Sequence, residues 1–188
     1  MEKSDPSGTP ARQRLLETAT RLFYAGGIHA VGIDRIIAEA GVAKATFYSH
    51  FPSKDDLVVA YLEDQDRIGR AAVAALPPQP PRKRLAAILG RISTAAVAGD
   101  YRGCPFLNAA AEYADPASPV RRAIDARRAW YHGVLREQLV ADGDPAPEVS
   151  AALLVALSDG LLEIAYLDDP RSVPALIEAA LQRLLPAR

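Results

Sequence analysis

The sequence is short of the residues that build covalent frameworks and reaction centres. One cysteine, Cys104, stands in 188 residues, so no intramolecular disulfide can close. The three histidines, His29, His50 and His132, are scattered and offer no metal-ligand spacing with that cysteine. No Ser-His-Asp arrangement presents itself, and the carboxylates do not gather on one apolar face. These absences speak against an enzyme and call for no metal and no cofactor. An excess of one charge is missing too: 22 basic side chains meet 23 acidic ones, for a net charge of −1. Only a local cluster can then signal a nucleic-acid partner. No uninterrupted apolar run approaches the ~18 residues a membrane span needs. Met1 to Pro10 is polar and lacks the apolar stretch of a signal peptide. The expectation is a soluble protein of a reducing cytoplasm, with no membrane partner.

What is present is a globular composition. Half of the chain, 49%, is apolar and 24% is charged, which excludes disorder over most of its length. The length allows one or two domains with a real core. Hydrophobic periodicity predicts helices almost throughout and no strand, so the class is all-α with about nine helices. Thr9-Pro10 reads as an N-cap followed by proline at the first helical position. Leu15, Leu16, Ala19, Leu22 and Phe23 then share one face until Gly26-Gly27. Ile33, Ile36, Ile37 and Ala40 mark a second short helix, closed at Gly41 where a left-handed residue fits. Phe47 and Phe51 fix the inner face of a third, which Pro52 ends. Ser53-Lys54-Asp55-Asp56 is a capping-box pattern opening a fourth helix that runs to about Leu76. The prolines of residues 77–81 then mark the clearest boundary in the chain. Five further helices follow, the last two over about 148–167 and 173–185.

The second and third helices, joined at Gly41 with apolar groups inward and polar groups outward, have the form of a helix-turn-helix. In that motif the second helix enters the major groove. Against a polyanionic duplex its exposed face must carry donors rather than carboxylates, and Lys44 to Phe51 contains no acid. Residues 9–54 hold Arg12, Arg14, Arg21, Arg35, Lys44 and Lys54 against Glu17, Asp34 and Glu39. This excess is modest, so affinity is expected to draw on dimerisation as well as phosphate contacts. The pattern alone leaves open an ordinary helical domain with a solvated polar face.

The stretch from Val31 to Leu57, VGIDRIIAEAGVAKATFYSHFPSKDDL, closely resembles the DNA-binding signature of TetR-type (tetracycline-repressor family) transcriptional regulators. The resemblance is strong over about residues 10–60. It implies that Lys44, Thr46, Tyr48 and His50 meet phosphates or base edges and that Lys54 meets the DNA backbone. Ala45 matches a small residue that lets the helix approach the groove. Ser49 falls among the contact positions but departs from the larger residues often found there, and Gly32 and Asp34 depart from a Thr and an Arg. Phe47 and Phe51 match core positions. An acid at Asp34 is expected to stabilise its helix N-terminus rather than to grip phosphate.

The resemblance also implies an organisation: an N-terminal arm over 1–9, the helix-turn-helix domain over 10–54, a connecting helix over 55–76, and a ligand-binding and dimerisation domain over 82–188. Homodimerisation through the last two helices is expected. The candidate interface stripes are Leu154, Leu157, Leu161 and Ile164 on one helix and Ile177, Leu181 and Leu184 on the other. A small-molecule effector is implied, with Phe106, Asn108, Glu112, Trp130 and Tyr166 as candidate pocket residues. Cys104 is either a small buried hydrophobe or a redox-sensitive thiol. The functional expectation is a homodimeric repressor released from a palindromic operator by its ligand. The alternative is a helical small-molecule carrier or enzyme without specific DNA binding.

Overall fold

The computed structural model describes residues 10–97 and 101–185. Thr9 and the rest of the N-terminal arm lie outside the described residues. Among the described residues there are nine α-helices and no strand. They are α1 (Ala11–Gly26), α2 (Ile33–Ala40), α3 (Lys44–His50), α4 (Lys54–Ala74), α5 (Pro81–Ala96), α6 (Pro105–Glu112), α7 (Pro119–Asp142), α8 (Pro147–Leu167) and α9 (Val173–Leu184). A short 3-10 turn, Pro170–Ser172, precedes α9.

The chain forms two compact units that alternate along the sequence. One comprises Met1–Arg67 with Asn108–Ile124, the other Ile68–Leu107 with Asp125–Arg188. The division therefore falls inside α4, between Arg67 and Ile68, and not at the prolines of residues 77–81. Those prolines end α4 at Ala74 and start α5 at Pro81, within the second unit. A proline-rich segment breaks helices because it lacks donors, but it parts two cores only if the packing changes there.

In the first unit Leu15, Ala19, Leu22 and Phe23 of α1 are buried with Ile36 and Ala40 of α2 and Phe47 of α3. Leu57, Val58, Tyr61 and Leu62 of α4 are buried as well, and the Phe23 and Tyr61 rings meet edge to face at 5.8 Å. Gly41 takes the left-handed conformation at φ 64°, and the N–H groups of Gly41 and Val42 return to the carbonyls of Ala38 and Ile37. This Schellman closure makes the tight turn of the helix-turn-helix. Ser53 caps α4, its Oγ accepting the Asp56 N–H at 3.2 Å and donating to the Asp56 carboxylate at 2.7 Å.

In the second unit α5, α7, α8 and α9 share one core, built on Leu85, Leu89, Leu135, Leu139, Leu154, Leu161, Val173 and Ile177. Burial of this many aliphatic side chains, roughly 1.5–3 kcal/mol each, is the main stabilising contribution here. Inside this unit Arg82 donates to the buried Asp142 carboxylate at 2.8 Å, tying the start of α5 to the end of α7.

Candidate nucleic-acid interface

The third helix is seven residues long and polarised by two aromatic anchors. Phe47 and Phe51 are buried, with ring centroids 6.1 Å apart. One turn of helix separates them, so every residue on the opposite arc is forced outward. Lys44, Ala45, Tyr48, Ser49 and His50 are exposed and Thr46 is half-buried. Tyr48 stands 44% exposed with its ring edge-on to Phe47 at 5.1 Å, which braces the phenol. The exposed arc carries donors and a methyl group and no carboxylate, a chemistry suited to base edges and phosphates.

The cations around α3 are arranged unevenly. Lys44 Nζ lies 3.2 Å from the Asp34 carboxylate, both groups well exposed. Asp34 occupies the first turn of α2, as expected, and in addition partners the lysine of α3. Arg21 and Arg35 both converge on Glu39, at 2.6 and 2.9 Å, and hold its carboxyl below the usual range. Arg14 Nε donates to the Ala40 carbonyl at 3.2 Å, fastening α1 to the end of α2. Lys54 is half-buried, and this desolvation pulls its pKa below the ordinary lysine value. Arg12 places its guanidinium 5.2 Å from the Phe51 ring centroid, beside the end of α3. Sequence reasoning counted Arg12 as a local charge but did not select it; 39 positions separate it from Phe51, so helical spacing carried no signal.

The candidate effector residues do not form one constellation. Phe106 and Trp130 belong to the second unit and meet the same guanidinium, that of Arg127, at 5.6 and 4.4 Å. Tyr131 faces it at 5.5 Å and Arg70 covers Trp130 at 4.6 Å. The Tyr131 hydroxyl is 3.0 Å from Ser158 Oγ, which itself donates to the Leu154 carbonyl at 2.8 Å. Arg70, Arg127 and Tyr131 were not selected from sequence. Tyr166 is exposed, with Arg102 at 5.9 Å from its ring. Asn108 is exposed and belongs to the first unit. Glu112 also belongs to the first unit, and its carboxylate accepts the backbone N–H groups of Ile28 and His29. A groove of about 370 Å³ lies elsewhere in the second unit, lined by α7 and α8 through Arg128, His132, Val155 and Asp159 with three alanines. Arg128 and Asp159 are paired there at 2.9 and 3.2 Å, which raises the arginine pKa. Burial pushes the Cys104 thiol up, which disfavours the thiolate that redox sensing needs.

The interface stripes read from sequence include side chains of every exposure. Leu154, Leu161 and Ile177 are buried in the core of their own chain, Leu157, Ile164 and Leu181 are half-buried, and Leu184 is exposed. The apolar side chains that face out are Val149, Leu153 and Leu167 on α8 and Leu176 and Leu184 on α9. A helix that is apolar nearly all round has no single stripe for periodicity to find.

Residues 15–61 match the family described as bacterial regulatory proteins, tetR family. Over 93% of each chain the protein is similar to the crystal structure of a TetR-family transcriptional regulator from Streptomyces coelicolor, with 44% identity and a TM-score of 0.87. It is also similar to the HTH-type transcriptional regulator LmrA of Bacillus subtilis, 28% identical over 159 residues, covering 81% of this chain and 85% of that one. The multidrug binding protein EbrR, solved in complex with malachite green, is 25% identical with a TM-score of 0.75 over 94% of this chain and 98% of its own.

Proposed function

Given that the chain belongs to the TetR family of transcriptional regulators, we propose that it acts as a homodimeric repressor whose α3 reads a palindromic operator and whose second unit takes a releasing ligand. The observation that carries the reading is the acid-free outward arc of α3, held in place by the fully buried Phe47. Lys44, Thr46, Tyr48, Ser49 and His50 supply the contacts, Ala45 allows close approach and Lys54 meets the backbone. A twofold dimer places two such helices about one helical turn apart, ~34 Å or a multiple, so the operator is palindromic.

The exposed leucines of α8 and α9 favour the partner subunit as their cover, since apolar surface gathered on two adjacent helices is stabilised by burial. The dye bound by EbrR favours a small molecule as effector. A ligand that prefers one conformation of the dimer draws it from the operator by differential affinity.

Fluorescence anisotropy with DNA from immediately upstream of the gene tests this at two salt concentrations, with wild type beside Tyr48→Ala. Saturable binding that survives competitor DNA and is lost in the variant is the expected outcome. Weak binding abolished by salt in both proteins alike, with random-sequence selection also yielding no site, favours a small-molecule carrier instead.

A further inference from the structure

The corner between α1 and α2 is held by a residue 84 positions further along the chain. After α1 ends, Gly27 turns at φ 88°, and a Cβ there would lie 3.3 Å from Glu112 Oε1. Past that turn two successive backbone donors converge on one carboxylate: Ile28 N–H reaches Glu112 Oε1 at 2.8 Å and His29 N–H reaches Oε2 at 2.5 Å. The next residue of the chain, Tyr113, packs its ring against His29 at 5.2 Å with a 47° tilt and donates its hydroxyl to Asp55 at 2.8 Å. Asp55 lies in the first turn of α4. The end of α6 thus grips both flanks of the helix-turn-helix, the lead into α2 and the start of α4.

We propose that Glu112 is a positioning residue for DNA recognition, fixing the α1–α2 corner and thereby the separation of half-sites that the dimer accepts. This rests on the DNA-binding reading above. The argument is mechanical. The recognition helix is anchored by Phe47 and Phe51 inside its own unit, but nothing in α3 itself sets where the partner's copy stands. That separation depends on how the headpiece is tied to helices that continue into the second unit. Residues of α6 belong to both units, Pro105–Leu107 to the second and the remainder to the first. Charge-assisted bonds from a carboxylate to two backbone donors are strong and directional, so they transmit position better than apolar contact does. The buried core of α1 to α4 does not include Glu112, so losing the clasp leaves the headpiece folded.

Glu112→Gln tests the idea because it preserves shape. The amide offers one acceptor where the carboxylate offers two, and sets an NH2 group against a backbone donor. Using an operator selected from random DNA, affinities of full-length wild type and variant are measured on that operator and on versions whose central spacer is longer or shorter by one base pair. Wild type is expected to discriminate against the altered spacers, and the variant to lose that discrimination by about fivefold or more. Binding to random-sequence duplex stays unchanged, and amide exchange at Ile28 and His29 accelerates. A purely destabilising substitution lowers the active fraction equally at every spacer and leaves the ratio intact. Tyr113→Phe, which removes only the bond to Asp55, is the second variant and shifts the profile in the same direction; it decides the matter if Glu112→Gln does not fold. A sharp spacing profile preserved in the folded variant overturns this proposal alone. Absence of any selected operator for wild type overturns the DNA-binding reading, and the proposal with it.

Discussion

Leu153 and Leu154 are neighbours on α8 with opposite fates, and exchanging each for alanine separates the proposed subunit interface from the subunit core. Leu154 is fully buried within its own chain, whereas Leu153 is 49% exposed. Truncating Leu154 removes buried methyl groups and leaves a cavity, which costs about 2–5 kcal/mol of folding stability. Leu153 has about half of its surface left to bury. Complete burial of a leucine contributes ~1.5–3 kcal/mol, so the remaining half is worth roughly 1 kcal/mol in each subunit. A twofold interface uses the residue twice, giving ~2 kcal/mol, or about a 30-fold rise in the dimer dissociation constant. Sedimentation equilibrium over a concentration series reads the second effect, and urea unfolding followed by circular dichroism at fixed concentration reads the first. The expected pattern is Leu153→Ala weakened in association with its far-ultraviolet spectrum intact, and Leu154→Ala unfolding at lower urea. A Leu153→Ala dimer as tight as wild type, beside a folded but dissociated Leu154→Ala, would show that the stripe read from sequence is the interface after all.

Two further perturbations probe charge. Asp34 partly neutralises Lys44 from an exposed position, where such a pair contributes ~0.2–1 kcal/mol, so Asp34→Asn changes stability little. Removing that carboxylate should tighten DNA binding, and if the freed Lys44 adds a phosphate contact the salt slope steepens by about 0.9 per subunit. Anisotropy titrations over a salt series read both quantities, and weaker binding by the variant refutes the assignment. Because burial raises the Cys104 pKa, little thiolate is present at pH 8 in the folded chain. Iodoacetamide should therefore modify Cys104 far more slowly in the native protein than in urea, and equal rates would contradict the buried-thiol reading.

Helix number and class were legible because local signals agreed. Gly41 in the left-handed conformation, Ser53 capping α4 and Phe47 opposite an acid-free arc all arise within a few residues of sequence. The resemblance over residues 31–57 added which face is proposed to meet DNA. What stayed hidden depends on partners far apart in the chain. Glu112 reads as a pocket carboxylate on α6 until the two amides at Ile28 and His29 are seen to occupy it. Arg127 stands out only once Phe106, Trp130 and Tyr131 are found around it. For α8 the difficulty was different: with apolar residues on most of its circumference, periodicity identified a buried helix but could not tell the inner seam from the outer one.

The alternation of the two units along the chain also governs how the protein is made. Ile124, the last and a buried member of the first unit, is synthesised 57 residues after Arg67. At ~5–20 residues per second that interval is roughly 3–11 seconds. For most of it the nascent headpiece has α3 but lacks Glu112 and Tyr113, which follow Arg67 by 45 and 46 residues, so the α1–α2 corner and the start of α4 are unfastened. Synthesis itself thus delays a fully braced headpiece until the C-terminal half is under way.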